Sequence, residues 1–174
     1  MSQKNVQSMV REAMSKVPTD LPLLMRAYGL GYDEDVLRGP SALIVPRERT
    51  QQVKIEINSM DPPAFKRISV AYEIARWVLA KDKLLSQSEG RRTPGAPSKP
   101  VRHDTANPED RGATDPSTGI ETKRISWLAS EILLPKDNLK RILSTNGNDL
   151  NAAAEMFGVS REAVMHKARK HKMV

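Results

Sequence analysis

Tyr72, Glu73 and Arg76 have the spacing of a metal-binding helix without its ligands. In the run Val70-Ala71-Tyr72-Glu73-Ile74-Ala75-Arg76, histidines at 72 and 76 would give His-Glu-x-x-His. There, two imidazoles one helical turn apart hold zinc and the glutamate activates a bound water. Only the glutamate is present. A phenol keeps its proton near neutral pH and a guanidinium is itself a cation, so neither replaces an imidazole. His103, His166 and His171 are the chain's histidines and lack the spacing of a zinc site, and there is no cysteine to supply thiolate ligands. No metal and no other cofactor is expected.

The elements that must position Glu73 follow from periodicity. Val6, Met9, Val10, Ala13 and Val17 predict an amphipathic first helix ending before Pro18. It is expected to pack on the domain, with a docking helix as the alternative. Thr19 or Asp20 can cap a second helix over 20–28, stopped by Gly29. Alternation of Val53, Ile55 and Ile57 predicts a half-buried strand over 53–58, with Leu43-Ile44-Val45 as its neighbour in a sheet of two or three strands. Asp61-Pro62 is a helix start. The helix carrying Glu73 is expected to run to about residue 81, with Phe65, Ile68, Val70, Ile74, Trp77 and Leu79 wrapping it as in a helix buried on most sides. Arg76 on such a helix needs a carboxylate partner.

Residues 86–117 are rich in Ser, Gly, Pro and charge, and are expected to form a disordered insertion, either merely solvated or ordering on a partner. Thr118-Gly119-Ile120-Glu121 has the spacing of a capping box. The next helix would bury Ile125, Leu128, Ala129, Ile132 and Leu133 and end at Pro135. Short helices over 137–143 and on either side of Gly158-Val159-Ser160 complete the chain. Residues 148–174 have the small and apolar spacing of a helix-turn-helix-like unit, with Ser160 as the cap of its second helix. Arg161, Lys167, Arg169, Lys170 and Lys172 decorate that helix and are candidate contacts for a partner or for nucleic acid. Favourable placement at the negative end of a helix explains such cations equally well.

Four segments, in order, resemble the ImmA/IrrE family of metallopeptidases: the helix closing on Gly29, the strand leading through Ser59-Met60-Asp61-Pro62 into the Glu73 helix, the run Trp127-Leu128-Ala129-Ser130-Glu131-Ile132-Leu133-Leu134-Pro135, and the closing Ala152-to-Ser160 unit. The resemblance implies a single α+β domain over residues 1–174, a mainly helical zincin-like metallopeptidase fold with a small sheet and a C-terminal helix-turn-helix-like unit. In that family a glutamate on the helix before the leucine-proline run completes the zinc site. By this resemblance, counting back from Pro135, Arg124 stands in its place. Tyr72, Glu73, Arg76 and Arg124 would then form a vestigial site, either a structural ion-pair cluster or an anion pocket. Glu121 is either the acid of the capping box or a displaced ligand.

With 174 residues the chain suits one domain with a real core. Absence of cysteine excludes a disulfide framework, and no apolar run is long enough to span a membrane. The N-terminus lacks a signal-peptide core, so a cytoplasmic protein is expected. A net charge of +7 suits an acidic protein surface or nucleic acid. Together with the resemblance, these features imply a pseudo-metallopeptidase without catalytic activity that works by protein–protein binding. Its expected partner is a helix-turn-helix repressor or antitoxin, or a cellular target inhibited as by the toxin of a toxin–antitoxin pair. A DNA-binding regulator using the C-terminal unit, and a residual peptidase with an atypical site, are the alternatives.

Overall fold

The computed structural model describes residues 3–38, 41–46, 53–88 and 116–174. Helix α1 (Gln3–Ser15) buries Ala13 and packs Val10 and Met14 on the core, and it is fastened by the Asn138 side-chain amide donating to the Met14 carbonyl at 2.8 Å. The helix packs on the domain, as expected, through this inner face. Helix α2 (Leu21–Tyr28) starts where Asp20 accepts the Leu23 amide at 2.9 Å, and it ends on Gly29 in the left-handed region. That conformation is open to glycine because it has no Cβ.

Strands β1 (Leu30–Asp35), β2 (Ala42–Pro46) and β3 (Val53–Asn58) form one sheet in the order β1-β3-β2. β3 is central, parallel to β1 (Tyr32 opposite Ile55) and antiparallel to β2 (Ile44 opposite Ile55). The alternation in β3 has the expected meaning: Ile55 and Ile57 are wholly buried, and each contributes roughly 1.5–3 kcal/mol of apolar burial.

Helix α3 (Pro63–Ser88) begins one residue after the expected start and continues past residue 81. Pro62 is the residue whose carbonyl accepts the first helical bond, from the Lys66 amide at 3.0 Å, and Pro63 suits the first turn because its missing N–H would be unsatisfied there. From Ser69 to Ala80 every residue of the helix is buried or half-buried, as expected of a helix wrapped on most sides. Val70, Ala71, Glu73, Ile74 and Ala75 are buried, whereas Phe65 and Ile68 are exposed near its start. It packs on the sheet through β2 and β3 and most extensively on α4 (Pro116–Leu133).

Helix α4 starts at Pro116, so Thr118 and Glu121 lie inside it and do not form the expected capping box at its start. A proline at the first position, with φ already set for a helix, supplies a start two residues earlier. Of the expected insertion, residues 86–88 and 116–117 are therefore helical, and residues 89–115 lie outside the described residues. Helices α5 (Lys136–Thr145), α6 (Leu150–Phe157) and α7 (Arg161–Lys170) complete the chain. Phe157, Val164, Ala168, Leu139 and Leu143 join the one hydrophobic core, so the C-terminal unit is continuous with the domain.

Candidate functional site

Tyr72, Glu73 and Arg76 project from the middle of α3, where the helix enters the core. Glu73 is wholly buried, while the Arg76 side chain keeps 23% of its surface exposed. Arg76 Nη2 lies 3.2 Å from Glu73 Oε1, and the guanidinium carbon sits 5.8 Å from the centroid of the Tyr72 ring. One turn of helix therefore carries a charge pair capped by an aromatic face, with both attractions acting on the same cation.

A divalent metal does not fit this arrangement. The cation beside Glu73 is the side chain's own, and neither a phenol nor a guanidinium presents a lone pair as an imidazole does. Among the described residues, no three His, Cys, Asp or Glu side chains converge as a ligand set.

Arg124 does not join the cluster. It is exposed and makes no ion pair among the described residues, because the buried stripe of α4 runs through Ile125, Ala129 and Ile132 and leaves position 124 turned away. Glu121, half-buried one turn before Ile125, lies on the inward side instead. Arg124 stands one position before buried Ile125, and one position on a helix with 3.6 residues per turn is a rotation of about 100°.

The second candidate site is the α6–α7 pair. Asp149 caps α6 by accepting the Asn151 and Ala152 amides at 2.8 and 3.2 Å, and Ser160 caps α7 by accepting the Ala163 amide at 3.2 Å. Gly158 makes the left-handed turn between them at φ +64°. Arg161, Arg169, Lys170 and Lys172 are exposed, as a contact surface requires.

Lys167 is not part of that surface. It is 2% exposed, with its ammonium donating to the Glu131 carboxylate and lying 3.3 Å from Ser130 Oγ. Burial pushes its pKa below the ordinary lysine value, and Glu131 opposes that shift. Lys167 sits between buried Val164 and Ala168 on the inner face of α7, so its charge points at α4.

A second clamp, absent from the sequence reading, comes from α3. Arg67 donates from Nε to the Phe157 carbonyl at 3.2 Å and from Nη2 to the Thr19 carbonyl at 2.7 Å. Desolvation lowers its pKa below the usual arginine value. The end of α6 and the start of α2 are thus held by one guanidinium. A Cβ at residue 158 would stand 3.4 Å from Arg67 Cδ, at van der Waals contact, so it is the left-handed turn that calls for glycine there.

Fold and site together define a mainly helical α+β domain of the zincin-like class, with its helix-turn-helix-like unit bolted to the core. A family model described as the IrrE N-terminal-like domain, peptidase M78, matches residues 46–169, and the chain belongs to that family. No curated protein matches the chain. Among solved structures, a transcriptional regulator of Mycobacterium tuberculosis is similar over 94% of this chain, with a TM-score of 0.57 and 17% identity. The chain spans 44% of that regulator's length. Among the described residues no helix is long and apolar enough to cross a membrane.

Proposed function

We propose that this protein is a catalytically silent member of the IrrE-like family that acts in the cytoplasm by binding another protein. The observation that carries the reading is the Glu73–Arg76 pair. A peptidase glutamate of this kind must be free to take a proton from a metal-bound water, whereas Glu73 is sealed and faces a guanidinium on its own helix. The partner is a helix-turn-helix repressor or antitoxin, or a cellular target blocked as by a toxin. Metal content and proteolysis test the silent site. Capture of partners from the native cell, with and without an Arg169→Ala/Lys170→Ala surface variant, tests the binding role.

A second reading, a DNA-binding regulator, is supported by exposed Arg161, Arg169 and Lys170 on α7, with Lys172 just beyond its end, and by the likeness to a transcriptional regulator. Tight, sequence-selective binding to duplex DNA at physiological salt would favour it. Weak binding that falls with salt and ignores sequence would favour the protein-binding reading.

A further inference from the structure

A concavity of about 330 Å³ lies between α5 and the residues that follow α7, apart from the Glu73 cluster. Its polar lining is Lys136, Lys140, Ser144, Asn148, His171 and Lys172, with Leu143 and Met173 as the apolar part. Every one of those polar side chains can donate a hydrogen bond, three are ammonium groups, and no carboxylate lines the space. Lys136, Lys140 and Ser144 come from one face of α5 at successive turns.

The cations are held at local cost. Lys136 is the first residue of α5, beside the positive end of the helix dipole, and it has a like charge one turn on at Lys140. Among the described residues neither makes an ion pair. Lys172 adopts φ +54° and Asn148 φ +64°, the only described non-glycine residues in the left-handed region, and both line this concavity. Lys172 closes the last turn of α7, with the Met173 amide donating to the Ala168 carbonyl at 2.9 Å, which fixes the backbone from which its ammonium reaches the concavity. His171 Nε2 is cut off from solvent there without a hydrogen-bond partner among the described residues.

We infer that this pocket binds a small phosphorylated anion through Lys136, Lys140 and Lys172, with Ser144, Asn148 and His171 as further donors. The set selects a compact polyanion: nothing in the lining attracts a cation, and the space is a recess instead of the open helical face that duplex DNA requires. The site is independent of the reading proposed for Glu73.

The test is a titration of the full chain with inorganic pyrophosphate at constant ionic strength, followed by amide chemical shifts. Saturable shifts should centre on Lys140, Ser144, Asn148, His171 and Lys172. Lys140→Ala and Lys172→Gly should each weaken binding by about tenfold, the scale of one charge-assisted hydrogen bond. Lys172→Gly keeps the left-handed backbone, so it separates charge from folding, and cooperative melting of each variant confirms its fold. Arg161→Ala, on the open face of α7, should leave the affinity unchanged. The inference is overturned by shifts that do not saturate, by equal weakening from Arg161→Ala, or by a short duplex DNA occupying the same residues more tightly than pyrophosphate.

Discussion

Arg76 Nη2 stands 3.2 Å from Glu73 Oε1 one turn earlier on α3, and the acid is the sealed member of the pair while the base keeps partial contact with water. That order of burial sets which substitution is costly. Arg76 can regain solvation when Glu73 is neutralised, whereas loss of Arg76 takes one counter-charge from a wholly buried carboxylate.

Arg76→Leu is therefore expected to destabilise the domain by about 3 kcal/mol, near the lower end for breaking a buried pair from one side. Glu73→Gln, which keeps volume and hydrogen-bonding capacity, is expected to cost less. Denaturant unfolding of both variants checks the order. A costlier Glu73→Gln would mean that the acid supports more than this pair.

Glu131→Ala strands the Lys167 ammonium inside the α4–α7 contact, with an expected loss of about 3–5 kcal/mol. Lys167→Met, which fills the space without charge, should cost much less, and Arg169→Ala with Lys170→Ala should change stability by less than about 0.5 kcal/mol. The pH dependence has a definite sign. Burial holds the folded pKa of Lys167 below the ordinary 10.5, so the unfolded chain binds more protons between the two values. This group's contribution to stability therefore rises as pH climbs towards 10.5. Lys167→Met should remove that component from melting curves recorded across the alkaline range.

Asp20 joins a cap to an ion pair. Its carboxylate is held below the ordinary 3.8, first by the hydrogen bond from Lys16 and then by the Leu23 amide. Its contribution is present above that ordinary value and is lost as pH falls through the lower folded value. Asp20→Ala should cost about 1 kcal/mol at neutral pH through the lost cap. Asp20→Asn, itself a good cap, should retain most of that while flattening the acid limb of the stability curve.

Gly158→Ala forces a Cβ into the left-handed turn beside Arg67, at an expected cost of about 1–2 kcal/mol. Arg67→Met removes the donor from two carbonyls and should cost about 1.5–3 kcal/mol. A double-mutant cycle checks the coupling, because both changes act on the same junction of α3 with α6 and should combine to less than their sum.

Local signals carried over well from sequence to structure. Asp20 and Gly29 bound α2, Val53, Ile55 and Ile57 mark the central strand, and Ser160 caps α7, because each works through neighbours a few residues away. β1 was not legible: Leu30 is its single buried residue, and the Gly-Tyr-Asp-Glu-Asp that follows has no apolar alternation. Its strand character comes from pairing with β3. The α4 start differs from the expectation because Thr118 and Glu121 have capping-box spacing while Pro116 begins the helix.

At the candidate sites the misleading cases were long-range or offset by one residue. Lys167 looks like its exposed neighbours until Glu131, thirty-six positions earlier, is placed beside it. Arg67 meets Phe157 across ninety positions. Arg124 is exposed next to buried Ile125, and on a helix one position decides between the core and water. The Glu73–Arg76 pair was legible because its members share one helical turn.

Zinc stoichiometry is the most direct test of the central claim that Glu73 serves a charge pair and not a metal-bound water. The purified protein, equilibrated with zinc and then freed of loosely held ions, should retain far less than one zinc per chain, and Glu73→Gln should retain the same. About one tightly held zinc per chain, lost on Glu73→Gln and accompanied by chelator-sensitive cleavage of a protein substrate, would contradict the account.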